Sequence, residues 1–200
     1  MNILITGSNG QLGSEIKDLA MNYTKFSFYF MDLPELDICN ESRLNIFIKE
    51  NNITTVINCA AYTAVDKAEL DSDIAKRVNA TGVLNLLRAL GKVDGKLIHI
   101  STDYVFDGNN CLPYQELDPV NPIGVYGSTK RSGELAIINS DIDAIVIRTS
   151  WLYSAYGNNF LKTMLKLGNE RDELGVIFDQ VGTPTNASDL AKTCLDILVH

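Results

Sequence analysis

The 200-residue sequence predicts an α/β fold built on a doubly wound parallel sheet. Three features lead to this prediction. Short apolar runs alternate with helical patterns along the chain, and the first run opens directly into a glycine-rich turn at 6–13. The run at 144–148 is nearly all apolar, which is typical of a strand covered on both faces. Strands that alternate with helices favour a parallel sheet with helices on both faces.

The predicted elements alternate as far as the fifth strand. In the first predicted helix, for example, Leu12, Ile16 and Leu19 recur on one face at helical spacing. The stretch 103–123 is rich in Asn, Gly and Pro, and such a loop inside a compact domain usually has a function. The predicted strands are 2–5, 26–31, 55–58, 96–100 and 144–148. The predicted helices are 11–21, 41–50, 71–90, 126–138 and 187–199.

Composition and charge restrict the classes of protein to which the chain can belong. Its formal net charge of -8 and pI of about 4.7 argue against a nucleic-acid-binding surface, which needs clustered Lys and Arg. No apolar run approaches the roughly 18 residues of a membrane span, and no signal peptide is visible. The four cysteines are scattered without a CxxC pair, so we expect reduced thiols, no metal site and a cytoplasmic protein.

The glycine-rich turn has the spacing of a dinucleotide-binding motif. Gly7 permits a tight turn out of the strand, Gly10 lets the backbone approach a pyrophosphate, and Gly13 lets the next helix pack on the sheet. The helix N-terminus offers free N–H groups and the positive end of its dipole to the phosphates. Without a ligand, the same glycines would make only a packing turn.

Asp32 ends the second predicted strand about 20 residues after the turn, where an acid can accept hydrogen bonds from the adenosine ribose. Because this carboxylate would repel a 2′-phosphate, it favours NAD(H). Asp37 and Ile38 are a candidate adenine contact, although an acid before an apolar residue is common in any loop.

Tyr126 and Lys130 are the candidate catalytic pair. They are four residues apart, so on a helix they share a face. A phenol titrates at about pH 10, and a neighbouring ammonium would move its pKa toward neutrality. Thr102 ends the fourth strand, at the edge where doubly wound sheets bind ligands. Its hydroxyl would polarise a substrate carbonyl while Tyr126 delivers a proton; a solvated helix start is the alternative interpretation of the pair.

The chain resembles the extended short-chain dehydrogenase/reductases, Rossmann-fold enzymes that combine a Gly-x-x-Gly-x-x-Gly turn with Ser/Thr, Tyr and Lys. Within them it is most similar to the dTDP-4-dehydrorhamnose reductase family. Segments in the order of that family cover nearly the whole chain. They are TGSNGQLG (6–13), NCAAYTAVDKAE (58–69), STDYVFDG (101–108), YGSTK (126–130), RTSWLY (148–153) and GTPT (182–185).

The resemblance implies a catalytic triad of Thr102, Tyr126 and Lys130, with Thr102 in the usual serine position. Two of the implied substrate contacts have a second interpretation, since Trp151 would also fit the core and Tyr104 a surface loop. The residues that would contact the substrate are Val65, Thr102, Tyr104 and Trp151. The residues that would bind the cofactor are Gly7, Asn9, Gly10, Gln11, Leu12, Gly13, Asp32, Asp37, Ile38, Ala60, Ala61, Thr63, Tyr126 and Lys130.

The resemblance also implies an activity, the NADPH- or NADH-dependent reduction of the C4 ketone of dTDP-4-dehydro-β-L-rhamnose to dTDP-L-rhamnose. The partner would be a small-molecule nucleotide sugar, with no nucleic acid and no membrane, and a homodimer is compatible with the family. Some members hold magnesium through C-terminal carboxylates, but no counterpart is visible, so we expect no metal. Family members are longer than this chain. We therefore expect a dinucleotide-binding Rossmann domain at 1–150 and a partial substrate-binding lobe with a closing helix at 151–200.

Two other functions remain open. An epimerase or dehydratase acting on another nucleotide sugar would use the same triad, and recycling of its cofactor would distinguish it. A non-catalytic regulatory subunit would bind the dinucleotide without turnover. The incomplete lobe favours this last interpretation, and the intact triad opposes it.

Overall fold

The computed structural model describes residues 1–199, and its centre is a sheet of five parallel strands. Their order across the sheet is second, first, third, fourth, fifth, so the order changes direction at the first strand. This is a doubly wound arrangement, and the predicted α/β fold is confirmed. The strands are β1 (Asn2–Thr6), β2 (Ser27–Met31), β3 (Ile53–Asn58), β4 (Lys96–Thr102) and β5 (Ala144–Thr149).

Helices connect these strands and continue after β5, where two further short strands pair with each other. Within residues 1–199, no helix is both long and apolar enough to cross a bilayer. The helices are α1 (Gln11–Leu19), α2 (Glu41–Glu50), α3 (Val65–Ala68), α4 (Ser72–Lys76), α5 (Gly82–Gly91), α6 (Val125–Ile138), α7 (Phe160–Glu170) and α8 (Ala187–Ile197). The short strands are β6 (Leu152–Tyr153) and β7 (Thr185–Asn186).

The helices form a separate apolar layer on each face of the sheet. Leu44 of α2 and Leu86 of α5 belong to one buried cluster with Leu4 of β1. Ile16 of α1 and Leu195 of α8 belong to the other. Because α8 packs on the main sheet, it shares the core of the predicted first domain. The division of the chain at residue 150 stays a prediction, and His200, the last residue of the predicted lobe, lies outside the described residues.

The predicted helix 71–90 is interrupted in the structure. A π-helical segment, Arg77–Thr81, separates α4 from α5. Within it the Asn79 side chain accepts from the Tyr62 N–H and donates to the Tyr62 carbonyl and to the Thr129 hydroxyl. The π-helical segment therefore coincides with contacts to residues distant in the sequence, which the helical periodicity of 71–90 could not predict.

Two features after residue 140 differ from the sequence-based expectations. The apolar run of β5 predicts cover on both faces, but Ile145 is 43% exposed because β5 is the outer strand of the described sheet. α7 was not predicted at all. Its start carries a recognisable signal, since the Asn159 side chain accepts from the Lys162 N–H as an N-cap. β6 and β7 have two residues each, too few for any periodic pattern.

Candidate active site

The candidate site lies at the carboxyl ends of β1 and β3, where the strand order changes direction, and doubly wound sheets bind ligands at such a point. Gly7 leaves β1 with a φ of +62°, a left-handed conformation that favours glycine. A Cβ on Gly7 would stand 2.7 Å from the Cα and N of Ala60. The turn after β1 and the segment after β3 are therefore in backbone contact. Ala61 and Thr63 continue this segment, the first half-buried and the second exposed.

The start of α1 is open to a ligand. Its N-cap is Gly10, which has no side chain to occupy the first N–H groups of the helix. Asn9 and Gly10 are exposed, whereas Gly13 is buried. A Cβ on Gly13 would stand 2.5 Å from the Gly7 carbonyl oxygen and from the Ser8 Cα. Gly13 therefore lets the helix close on the turn itself, and not only on the sheet as the motif predicts.

Asp32 follows β2 directly, and both of its carboxylate oxygens accept hydrogen bonds. One accepts from the Asn9 N–H at 2.9 Å and the other from the Leu33 N–H at 2.8 Å. The first bond ties the end of β2 to the glycine turn. A carboxylate has about four lone-pair sites, so acceptor capacity remains for a ribose hydroxyl. The acid therefore lies beside the turn, where the dinucleotide motif requires it.

Four of the predicted cofactor residues direct their side chains elsewhere. Leu12 and Ile38 are each 4% exposed and belong to the two buried clusters. Their side chains complete the core, so a contact with a cofactor would fall to their backbone, and both assignments stay predictions. The Gln11 amide oxygen accepts from the Asn159 amide at 2.9 Å. Asp37 accepts from the N–H two residues further on and so closes its own loop.

Thr102 and Tyr126 meet at the carboxyl end of β4. Thr102 is 5% exposed, and its hydroxyl donates to the Asp103 carboxylate at 3.1 Å and accepts from the Tyr104 N–H at 3.2 Å. The Thr102 side chain also lowers the pKa of the Tyr126 phenol, so the two side chains are neighbours. The Tyr104 ring packs edge-on against the Tyr126 ring, with their centroids 5.6 Å apart. Thr102, Tyr104 and Tyr126 therefore form one cluster.

The pKa of Tyr126 is raised rather than lowered. Burial raises this pKa, and the opposing effect of the Thr102 side chain does not offset the effect of burial. The Lys130 ammonium is directed to the sheet, where Nζ donates to the Ile100 carbonyl at 2.6 Å. The expected lowering of the Tyr126 pKa by Lys130 is therefore wrong, because burial dominates. Burial also lowers the pKa of Lys130 to about 8, so the amine is mostly protonated at neutral pH.

The remaining predicted substrate residues lie around this cluster in different settings. Tyr104 is 42% exposed, but its contact with Tyr126 makes it part of the cluster and not an isolated loop residue. Trp151 is 39% exposed and packs edge-on against Phe160, so it does not belong to the buried core. Its φ of +46° is unusual for a bulky residue, and such strain often marks a functional site. Val65 is half-buried at the start of α3. The substrate roles stay predictions.

Thr149 is a residue beside the triad that sequence reasoning did not assign. It pairs with Thr102 in the register of β4 and β5. In the part of the chain that the structure describes, its hydroxyl is the one buried side-chain polar atom without a hydrogen-bond partner. Buried hydroxyls normally have partners, so this one is available to a ligand or to water at the carboxyl edge of the sheet.

Glu69 fixes the start of the helix that carries Tyr126. Its carboxylate accepts from the Val125 N–H at 2.8 Å, across 56 residues of sequence. This bond satisfies one of the free N–H groups at the start of α6, one residue before Tyr126. The sequence indicates only a charge cluster at 66–69, since a cap that comes from another helix leaves no local signal.

A buried ionic cluster stands behind Thr102. The Glu134 carboxylate accepts from the Ser101 hydroxyl at 2.6 Å, from Arg131 at 2.8 Å, and from Arg148 at 2.8 and 2.9 Å. The Arg148 guanidinium also lies 5.0 Å from the centre of the Phe106 ring. The cluster therefore joins α6, β4 and β5 to the loop that follows β4. Sequence reasoning did not find it, because its members come from three separate elements.

We expect Glu134→Gln to lower the free energy of unfolding by about 3 kcal/mol, because it removes the buried counter-charge of two half-buried guanidinium groups. Burial raises the pKa of this carboxyl, but hydrogen bonds from Arg148, Ser101 and Arg131 outweigh burial, and the net pKa is lowered. The contribution of Glu134 is therefore present above an unfolded pKa of about 4.3 and is lost as the pH falls through the lower folded value.

Urea unfolding at neutral and acidic pH measures this effect. Glu170→Gln is the matched control, because Glu170 forms an exposed pair with Lys166 at 4.0 Å and should change stability by less than about 0.5 kcal/mol. Equal stability losses in the two variants, or a Glu134→Gln loss that grows toward acidic pH, would contradict the assignment.

The described residues fit a dinucleotide. The open start of α1 offers N–H groups and a positive dipole to a pyrophosphate. Asp32 lies beside the turn, and the Thr149 hydroxyl is unpaired at the same edge of the sheet. Within residues 1–199, no group of three His, Cys, Asp or Glu side chains is arranged to hold a metal ion, and the expectation of no metal stays a prediction.

Comparison with known proteins gives matches along the whole chain. The family model of the RmlD substrate binding domain matches residues 1–200. The dTDP-4-dehydrorhamnose reductase of Aggregatibacter actinomycetemcomitans is 42% identical, over 98% of this chain and 66% of its own length. The crystal structure of a dTDP-4-dehydrorhamnose reductase from Clostridium acetobutylicum is 46% identical, with a TM-score of 0.95, over 100% of this chain and 70% of that one. The Bacillus anthracis dTDP-4-dehydrorhamnose reductase, solved in complex with NADP, is 41% identical, with a TM-score of 0.95, over 99% and 70% of the two chains.

These matches test the family resemblance that the motifs indicate. The chain spans 63–66% of the length of the curated relatives that it matches first. The fold of the two solved reductases matches this chain over at least 99% of its length, with 46% and 41% of the residues identical. The family predicted from the motifs is therefore confirmed. This chain belongs to the RmlD substrate binding domain family, the family of the dTDP-4-dehydrorhamnose reductases.

Proposed function

We propose that the protein reduces the C4 ketone of dTDP-4-dehydro-β-L-rhamnose to dTDP-L-rhamnose with NADPH or NADH. The observation that carries this proposal is the cluster of Thr102, Tyr104 and Tyr126, which stands at the carboxyl edge of the sheet that also carries the glycine turn. The relatives of this chain at 42% and 46% identity are named dTDP-4-dehydrorhamnose reductases, which supports the proposal that it acts on the same substrate.

The residues of the cluster divide the work of a ketone reduction. The Thr102 hydroxyl, turned from the Asp103 carboxylate to the substrate, would donate to the carbonyl oxygen and polarise it, and the Tyr126 hydroxyl would deliver the proton to that oxygen. Lys130, at the next turn of α6, supplies a positive charge and hydrogen-bond donors for the ribose of the cofactor. The nicotinamide, when bound, supplies the hydride.

The raised pKa of Tyr126 suits this direction of reaction. Burial keeps the phenol protonated at neutral pH, so it is ready to act as an acid. A reduction consumes one proton at the oxygen, and an acid that was already ionised would have none to give. The lowered pKa of Lys130, about 8, places the loss of its charge just above neutrality. We therefore assign the alkaline limb of the activity profile to Lys130 and not to Tyr126.

The cofactor is NADPH or NADH. Asp32 beside the glycine turn favours NADH, because its charge opposes a 2′-phosphate. The relative from Bacillus anthracis was solved with NADP, which supports NADPH. The ratio of kcat/KM values for the two cofactors decides between them. A homodimer and a cytoplasmic location remain predictions of the sequence.

The test is to incubate the protein with NADPH or NADH and a panel of nucleotide sugars that carry a 4-keto group. We expect the near-ultraviolet absorbance of the reduced nicotinamide to fall in proportion to dTDP-L-rhamnose formed. Conversion of a sugar without net loss of reduced cofactor would indicate an epimerase or dehydratase. Cofactor binding without turnover of any sugar would indicate a regulatory subunit. Either result would overturn the proposal.

A further inference from the structure

A row of buried polar side chains crosses the sheet beneath the candidate site. Thr6 of β1 is 2% exposed, Asn58 of β3 is 1% exposed, His99 of β4 is fully buried, and Lys130 of α6 is 2% exposed. The three strands are neighbours in the sheet, so the row runs from the glycine turn to α6. The proposed reaction uses only Lys130, and the three other side chains have no part in it.

The hydrogen bonds along this row fix the tautomer of His99. The Thr6 hydroxyl donates to the Asn58 Oδ1 at 2.6 Å, which turns the Asn58 Nδ2 toward the His99 Nδ1 at 3.0 Å. An amide nitrogen only donates, so His99 Nδ1 is the acceptor and carries no proton. Burial and the nearby Lys130 lower the pKa of His99 well below its usual range, so the ring is neutral. Its single proton therefore lies on Nε2.

That proton is directed at Lys130. The Lys130 Nζ lies 3.5 Å from the His99 Nε2, longer than a normal hydrogen bond, while it donates to the Ile100 carbonyl at 2.6 Å. An ammonium has only donors, so it cannot accept the Nε2–H, whereas a neutral amine offers a lone pair. The 3.5 Å distance between Nζ and Nε2 is therefore explained by two donors, the ammonium and the Nε2–H, that face each other. The other titratable groups that act on Lys130 are Glu134 from its own helix and Cys59 after β3, and both favour the charged form.

We propose that His99 is a positioning residue for Lys130: locked as the Nε2–H tautomer by Asn58 and Thr6, it favours the neutral amine and adds to the effect of burial on the pH at which Lys130 loses its charge. The row ends at Thr6, which is buried, so it is not a path for protons to water. It acts by presenting a fixed donor. The effect of His99 on turnover rests on the proposed function, but the fixing of its tautomer by Asn58 and Thr6 (the lock) does not.

Nitrogen NMR of the protein with ¹⁵N-labelled histidine tests the lock directly. The sequence has two histidines, His99 and His200, so a His200→Gln variant assigns both sets of signals. We expect His99 to keep an unprotonated Nδ1 and a protonated Nε2 from roughly pH 6 to pH 9. Its Nε2 signal should shift through the pKa of Lys130 near 8, and Lys130→Met should abolish that shift. A protonated Nδ1, an imidazolium at neutral pH, or a signal that ignores Lys130 would overturn the proposal.

A pair of threonine variants tests what fixes the tautomer. Thr6→Val keeps the shape of the side chain but removes the donor that orients the Asn58 amide, so both His99 tautomers should become populated. Thr55→Val is the matched control, because Thr55 is 3% exposed on β3 and its hydroxyl reaches only the Met1 sulfur. We expect the His99 signals of the control to match the wild type. An unchanged tautomer in Thr6→Val would show that Thr6 does not fix it.

The pH profile of the reductase reaction separates a tuning role from a structural one. His99→Gln places an amide that is free to turn its oxygen toward the ammonium, which should raise the alkaline limit of kcat/KM by about one pH unit. A loss of kcat with no movement of that limit would show that His99 only packs. The NMR result decides the tautomer even if this variant does not fold. A locked tautomer without any reductase activity would reject the proposed function and leave the lock intact.

Discussion

Tyr126→Phe should reduce kcat for the 4-keto sugar by about 10²–10⁴-fold, the usual contribution of a general acid. The variant removes the phenolic hydroxyl, and with it the proton that the carbonyl oxygen receives. The phenyl ring remains, so its edge-on packing against Tyr104 and the fold should persist. Dinucleotide affinity, measured by calorimetry, should therefore be unchanged while turnover is lost.

The matched control for this variant is Tyr156→Phe. Tyr156 is 38% exposed, and its hydroxyl donates to the Asp18 carboxylate at 2.6 Å, away from the triad. Its loss should leave kcat at the wild-type value. Full activity of Tyr126→Phe, or an equal loss of activity in both variants, would show that Tyr126 is not the acid.

Gly13→Ala should destabilise the protein by about 3 kcal/mol and abolish dinucleotide binding. The added Cβ would stand 2.5 Å from both the Gly7 carbonyl oxygen and the Ser8 Cα. Both neighbours are backbone atoms of the tight turn, so neither can move away as a flexible side chain would. Relief of the clash requires α1 to separate from the turn, which displaces the N–H groups expected to hold the pyrophosphate. Urea unfolding and calorimetry with NADPH measure the two effects.

Gly168→Ala is the control for this substitution. Gly168 lies in α7, and among residues 1–199 no atom comes within 4 Å of the position that its Cβ would take. Alanine there should stabilise the protein by about 0.5–1 kcal/mol, because glycine is unfavourable inside a helix. A Gly13→Ala protein that unfolds at the same urea concentration as the wild type and still binds NADPH would contradict the structure of the turn.

The strands of the sheet, the glycine turn and the helix that carries Tyr126 could be predicted from residue patterns that are local in the sequence. The apolar runs placed β1 to β5 within about two residues of their observed bounds, because the strand residues that pack against the helices are apolar. The glycine spacing placed the turn, because the positive φ that Gly7 adopts is unfavourable for residues with a side chain. The four-residue spacing of Tyr126 and Lys130 on α6 placed both on one helix.

The electrostatics of the site could not be predicted in the same way. The sequence suggested that Lys130 would lower the pKa of Tyr126, but burial raises it and the amine is directed to Ile100. Other features of the site depend on residues far apart in the chain: the burial of Leu12 and Ile38, the cap from Glu69 and the cluster around Glu134. Pairings of that kind are set by tertiary packing, which leaves no periodic signal in one sequence.

The measurement that tests the central claim most directly is the transfer of deuterium from the cofactor to the sugar. The protein is incubated with dTDP-4-dehydro-β-L-rhamnose and with NADPH deuterated at both C4 positions of the nicotinamide, and the product is examined by mass spectrometry. A nicotinamide bound at the carboxyl edge of the sheet beside Tyr126 predicts dTDP-L-rhamnose with one deuterium, on C4 of the sugar. A product without deuterium, or a cofactor that keeps both of its deuterium atoms, would contradict it.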